Sequence, residues 1–448
     1  MRRFARGVVA MEEEAAAVAS PEVAVADVEL AEGATEVADS VAEVEAENVE
    51  GEEEAAAVAE AGDVVETLEV AAESLRIAAA NGGIDKYSAA AIGALTQHLY
   101  DRVGYKAKAM PAMESFGGAS TRIGATQLAM EGIQEGAKKI WDSIVAAFKR
   151  ALQWAIDFYN KIFGSWEKLE KRADALASKG DGITGVAKEK TIKNLSLAKA
   201  LSVKGTVPAN PVVYAKTLTA LAKSISDTGM NALLAGVAED LEKQGAEKSF
   251  ISSFEVPAGK GIIGDGVPVA NAEALGFSAP KDGLELIRGP EMLGGKAVIG
   301  YVNKEAAKAE AAVSVLRGFN ITINKFDPKA AEIAKEEVPV LEKNVAIEVA
   351  KSVSETAIAG RAYRNKLSAI NESKKKMIAV AERLGGAAYK AEGDSVANLK
   401  AMREVAQACA RLADQYSASV STYTLSTSKA LLDLVDQSFK QYGAAETK

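Results

Sequence analysis

Few residues in this chain have the chemistry of an enzyme site. One histidine, His98, and one cysteine, Cys409, occur in 448 residues. Zinc sites and nucleophile–base pairs need several such groups within reach of one another, so most versions of both are excluded. Cys409 lies in AQACARL at helical spacing from Leu412 and reads as a buried structural thiol. The string Gly259-Lys260-Gly261-Ile262-Ile263-Gly264 has the glycine spacing of a pyrophosphate loop. Its context is wrong, because Val256-Pro257-Ala258 and Asp265-Gly266-Val267-Pro268 stand where a strand and a helix are required. Gly294-Gly295-Lys296 ends like a phosphate loop, but Pro290 replaces the first glycine and Ala297 the Ser or Thr, so it reads as a hairpin turn. No carboxylate pair stands apart as acid and base. The expectation is a non-enzymatic protein with no catalytic residue, cofactor or metal; carboxylate chemistry in the middle of the chain stays open as an alternative.

Two other groups of residues can act. The first is Ala112-Met113-Glu114 followed by Ser115, in the stretch MPAMESFGGAS. Pro111 before it and SFGGAS after it predict an extended, accessible backbone, which is what a protease needs. The second is a run of cations, Arg361, Arg364, Lys366, Lys374, Lys375, Lys376 and Arg383. These could touch the phosphates of double-stranded DNA without reading its sequence. They could equally form a solvated helix face, partly balanced by Glu355, Glu372 and Glu382.

Charge gives the first group its significance. The chain carries a net charge of -9, yet residues 1–114 hold 24 acidic and 8 basic side chains, net -16, leaving +7 on the remainder. Between Arg6 and Arg76 lie 21 acidic residues and no Lys or Arg, in an Ala, Val and Glu background without an aromatic ring. Such a segment repels itself and has little to bury, so disorder with transient helix is expected. A cut after Glu114 would turn an acidic protein into a basic one and raise its attraction for polyanions. A permanent solubilising tail is the other reading. The tripeptide recurs at residues 10–12 and 129–131, so position is what singles out residues 112–114.

The remaining elements follow from periodicity. A composition of 48% hydrophobic and 26% charged residues is that of a folded chain. No run of about 18 uncharged apolar residues predicts a membrane span, and the apolar stretch GVVAM stops at Glu12, too short for a signal peptide. Residues 83–105 predict a short helix with Ile92, Leu95, Leu99 and Val103 on its apolar face. From Thr121 to about Ser178, apolar residues recur at three and four from Ile133 to Leu169, predicting one long amphipathic helix or a pair broken near Gly164. Trp141, Trp154 and Trp166 all lie there among lysines. Burial of these rings between helices is one reading, and insertion of the helix into a membrane surface is the other. Residues 211–244 predict two helices separated near Asp227-Thr228-Gly229, with Ser226-Asp227-Thr228 as a cap. Runs at 284–289, 297–303 and 319–326 predict a small antiparallel sheet. Residues 332–384 and 394–441 predict two long helices folded back on each other. The fold class is therefore mainly α with a small antiparallel β region (α+β). Its divisions are 1–114 (largely disordered, with a helix near 84–104), 115–180 (Trp-rich helical segment), 181–335 (mixed) and 336–448 (helical hairpin).

Residues 109–135, AMPAMESFGGASTRIGATQLAMEGIQE, with the Trp-rich helix after them, resemble the processed internal head proteins of large tailed phages, the phiKZ type and relatives. The C-terminal SKALLDLVDQSFKQYG shares a vaguer likeness. In that group a prohead protease cuts after a glutamate preceded two positions earlier by a small residue, which Ala112-Met113-Glu114 satisfies. The resemblance implies loss of the acidic propeptide in the immature head and a product starting at Ser115. That product would sit inside the capsid of the virion with other head proteins and the packaged DNA. Ala129-Met130-Glu131, Ser20-Pro21-Glu22 and Ala71-Ala72-Glu73 fit the same rule. Ejection with the genome, and engagement of the host membrane by the helix at 133–169, is the alternative role.

Overall fold

A computed structural model describes residues 21–106, 110–227, 336–388 and 394–442; between the second and third of these it describes 239, 255–256, 267–269, 272, 284–303, 307–308 and 321–327. The architecture is mainly helical with a small antiparallel sheet, as the periodicities predict.

One helix organises everything else. Helix α3 (Ala119–Gly182) runs unbroken for 64 residues, about 95 Å at 1.5 Å per residue. Gly164 does not interrupt it. Four other helices lie along it, and α3 is buried on opposite sides at once. Helix α6 (Lys343–Ala362) and helix α7 (Arg364–Ala388) run antiparallel to it. Their register is fixed by pairs along the interface: the Tyr159 and Tyr363 rings lie 5.1 Å apart, and Trp141 Nε1 donates to the Ala381 carbonyl at 3.2 Å. Helix α8 (Asp394–Phe439) returns antiparallel to α6 and α7, and Asp433 on it meets Arg172 of α3 at 2.7 Å. The fold-back of two C-terminal helices is therefore present, with a break. The first helix is split at Tyr363, and it starts at Lys343 in place of residue 332. The start is displaced because Glu337–Pro339 forms strand β8, paired with strand β1 (Thr191–Lys193) through Ile192↔Val338. Pro339 lacks the donor a helix interior requires. This pairing also ties the mixed region to the hairpin region across the expected boundary at 335.

The acidic N-terminal segment is the main correction. Residues Pro21–Ala80 form a 60-residue helix, α1, and not a disordered tail. Its buried positions explain why. Val37, Val41, Val44, Gly51, Val58, Val65, Leu68, Ala72 and Leu75 recur at three, four and seven, a heptad seam. Most of them are fully buried in the same core as α3, with Val58 packed at its edge. Burying a Val or Leu side chain stabilises by about 1.5–3 kcal/mol, so a seam of this length outweighs the self-repulsion of solvent-facing carboxylates. Alanine and glutamate between the seam positions are strong helix formers.

Helix α2 (Lys86–Arg102) follows, within the expected limits. Asp85 caps it, accepting from the backbone amides of Tyr87 at 2.9 Å and Ser88 at 2.8 Å. The Ser88 amide above all holds the Asp85 carboxyl below its ordinary value. The cap is thus intact above the carboxylate's unfolded pKa and is lost as pH falls through its lower folded one. Its buried face is Ala89, Thr96, Leu99 and Tyr100; Leu95, expected there, is exposed.

Helices α4 (Leu195–Leu201) and α5 (Val212–Asp227) lead to the sheet. The second helix expected before residue 244, apart from Glu239, the cap at Ser226-Asp227-Thr228 beyond its second residue, and the glycine string at 259–264 lie outside the described residues. Strands β2 (Glu255–Val256) and β6 (Ala307–Lys308) pair with each other. The main sheet has the order β3-β4-β5-β7, all antiparallel, with β3 at Val267–Pro268, β4 at Leu284–Arg288, β5 at Lys296–Asn303 and β7 at Ile321–Lys325. The three longer strands match the three predicted runs. Gly294 and Gly295 lie in the β4–β5 connection with φ of 75° and 62°, the left-handed region that favours glycine. The sheet rests on α8, where the Ser419 hydroxyl accepts from the Ile323 amide at 3.1 Å and Tyr423 donates to the Leu293 carbonyl at 3.0 Å.

Candidate functional site

The segment 110–118 joins the α1–α2 unit to α3. Within it Met113–Phe116 forms one turn of 3-10 helix, so the backbone is coiled and not extended. The Ser115 amide donates to the Ala112 carbonyl at 2.9 Å, and the Gly117 amide to the Glu114 carbonyl at 3.1 Å. The start of α3 holds the other side: Thr121 Oγ1 donates to the Ser115 carbonyl at 2.8 Å, and Arg122 Nε to the Phe116 carbonyl at 3.3 Å. The Phe116 ring, fully buried, anchors the turn. Ala112, Met113 and Glu114 remain exposed and Ser115 is half-buried. The side chains a protease would read are thus presented to solvent, while the bond after Glu114 sits in a turn that must open first.

This geometry has a kinetic consequence. Phe116→Ala removes the anchor, so cleavage after Glu114 by a glutamate-specific protease is expected to speed up several-fold. Timed intact-mass spectra of both proteins would measure it, and equal rates would mean that opening the turn does not limit access. The other matches to the rule are less open. Ala129-Met130-Glu131 lies inside α3 with Ala129 buried, and Ala71-Ala72-Glu73 lies inside α1 with both alanines buried. Of Ser20-Pro21-Glu22, Ser20 lies outside the described residues.

Beneath residues 110–111, between α2 and α3, lies a cavity of about 340 Å³ lined by Thr96, Tyr100, Met110, Pro111, Leu128 and Ile133. Burial pushes the Tyr100 phenol up to about 12. A Cβ on Gly136 would stand 2.1 Å from its hydroxyl, so glycine is required there for α2 to lie so close to α3. His98 is exposed on α2. Among the described residues no group of three or more His, Cys, Asp or Glu is placed to hold a metal ion.

The seven C-terminal cations do not form one surface. Arg361 lies on α6 and pairs with Glu170 of α3. The other six lie on α7, where helical rotation spreads them around the axis. Lys374 is buried, 3% exposed, and is withdrawn from any phosphate. Arg364 stacks over the Phe163 ring at 4.8 Å, and Lys375 pairs with Glu372 at 2.8 Å. Arg364, Lys366, Lys375, Lys376 and Arg383 keep exposed side chains.

A second set of cations emerges only from the fold. On α3, Arg150 meets Glu54 of α1 at 3.2 Å, Lys161 pairs with Glu47, and Lys168 donates to Ser40 Oγ at 3.1 Å. Arg102 of α2 meets Glu60 at 3.1 Å. Between Arg150 and Lys161, Trp154 presses its ring against Gly51, where an added Cβ would stand 2.5 Å away. The signal in the sequence is the spacing of Arg150, Trp154, Lys161 and Lys168 at four, seven and seven, the period of the α1 seam. The other two tryptophans, Trp141 and Trp166, are fully buried. All three rings thus pack between helices, and among the described residues no helix is long and apolar enough to cross a membrane.

The family model of the phiKZ-like phage internal head proteins matches residues 39–437 of the chain. No curated protein and no solved structure matches it.

Proposed function

The chain belongs to the phiKZ-like phage internal head proteins, structural proteins of the capsid interior, and we propose that it matures by a prohead protease cut after Glu114 and then associates with the packaged DNA. The observation that carries this reading is the coincidence of two boundaries. The charge of the chain changes sign at Glu114, and the segment joining the acidic α1–α2 unit to α3 in sequence presents Ala112, Met113 and Glu114 to solvent there. An acidic precursor is repelled by DNA, so it would occupy the empty head with other head proteins. A product carrying +7 attracts phosphates and releases their condensed counterions.

Intact mass and N-terminal sequencing of the protein from mature particles test the processing. A product starting at Ser115 is expected; a chain starting near Met1 would overturn it. DNA association is tested separately, by binding of the full chain and of the isolated product, residues 115–448, to double-stranded DNA at one salt concentration. Equal affinity would remove the electrostatic part of the reading.

Replacement of Lys366, Lys375, Lys376 and Arg383 by alanine provides a second test of that part. For every phosphate that the protein no longer neutralises, the slope of log affinity against log salt falls by about 0.9. Removing these four exposed cations should lower the slope of the isolated product by about 2 or more, whereas Lys374→Ala should leave it unchanged. An unaltered slope in the quadruple variant would place DNA binding elsewhere on the product.

A further inference from the structure

The cations of α3 that α1 neutralises are not freed by breaking one peptide bond. We infer that the α3 strip of Arg150, Trp154, Lys161 and Lys168 is a binding surface for an acidic, valine-seamed helix, and that the N-terminal fragment stays on it as a non-covalent subunit after a cut at Glu114. This inference rests on the processing reading for its biological setting, though not for its physics.

The surfaces match point by point. On α1, Glu47, Gly51 and Glu54 stand at i, i+4 and i+7; on the antiparallel α3 they meet Lys161, Trp154 and Arg150. Gly51 makes the centre of this arrangement selective. A Cβ there would overlap three atoms of the indole, at 2.5, 2.7 and 2.9 Å, so a helix with a side chain at that position seats in the same register only by displacing the Trp154 ring. The flanking carboxylates set the polarity of the helix and the cations set its charge. The seam from Val37 to Leu75 supplies most of the attraction, since it is buried, whereas the ion pairs stand in solvent and are screened by salt. Nothing in this seam depends on the covalent link at residues 113–116, which lies beyond α2.

The consequence reaches the charge switch. While α1 remains seated, the assembly of the two fragments keeps the net charge of the precursor, -9, and Arg150 and Lys161 remain paired. Reversal therefore requires a second event, either displacement of the helix or further cutting within it.

The test uses the full chain with a site-specific protease sequence inserted between Glu114 and Ser115, cut and passed over a sizing column at about 0.15 M and about 1 M salt. The two fragments are expected to elute together at both. Separation of residues 1–114 at the lower salt, whether the remainder stays soluble or precipitates, would overturn the inference. Gly51→Val in the same cut protein should weaken retention at least tenfold in apparent Kd, and undiminished retention would overturn the role of the Trp154 socket. A chain found uncut in mature particles would remove the processing reading and leave this result standing. Separated fragments would do the reverse.

Discussion

Gly360→Val is expected to lower the urea midpoint of the whole chain, with a loss of about 1–3 kcal/mol. Gly360 lies on α6 where it crosses Trp166 of α3, and a Cβ there would stand 2.7 Å from Cε2 and Nε1 of the indole. Trp166 is fully buried, so the ring has no open space to move into. Glycine in a helix interior normally costs about 1 kcal/mol relative to alanine, and a substitution at an open site would recover part of that. Here the steric term reverses the sign. Because Trp166 lies between helices that residues 115–448 contain, the loss should be the same before and after a cut at Glu114. Gly51→Val supplies the contrast: Trp154 is only half-buried, and its partner helix belongs to the N-terminal fragment. An unchanged midpoint with an unchanged denaturant slope in Gly360→Val would show that α6 shifts away from α3 at little cost.

The same two glycines show how far the sequence can be read. Helix α3 is legible because its apolar residues recur at three and four over many turns, and the sheet because β-branched runs alternate with Gly, Pro, Asn and Asp. Both signals are local. The order of α1 is not local. Its valines are small, sit in an Ala and Glu background, and gain from burial only when the strip on α3, about a hundred residues away, is in place. Gly51, which looks like a helix breaker, is the position that admits Trp154. The break at Tyr363 is hidden for a similar reason, since no proline marks it and the ring is drawn to Tyr159 by packing.

The candidate site is legible in part. Exposure of Ala112, Met113 and Glu114 follows from Pro111 and the glycines nearby, but SFGGAS contains a signal against an open chain. Phe116 is a large apolar residue among small ones, and it goes into the core. The basic run on α7 shows a different failure. Counting charges ignores rotation: at 100° per residue, Arg364, Lys366 and Lys374 point in three directions, and one of them had to face inward. The cations that do share a strip, on α3, are spaced by the heptad, and in the sequence they stand out only as neighbours of tryptophan.

Asp433→Ala is expected to destabilise the protein by about 3 kcal/mol or more, far beyond the loss of a surface ion pair. Asp433 on α8 meets Arg172 of α3 at 2.7 Å, and the Arg172 side chain is only 4% exposed. Removing the carboxylate strands a guanidinium among apolar helices. Lys429, which shares the same carboxylate at 2.8 Å, is itself a cation and offers it no compensation. The penalty is thus the stranded charge, and the attraction removed is a smaller part of it. Replacing both partners tests that assignment. Arg172→Leu with Asp433→Leu removes the charge together with its counterion, and should recover stability to within about 1 kcal/mol of the starting protein. Urea unfolding of Arg172→Leu, Asp433→Leu and the double variant would close the cycle. If the double variant is as unstable as Asp433→Ala, the pair contributes attraction that packing cannot replace, and the junction of α3 with the C-terminal hairpin depends on charge and not on burial.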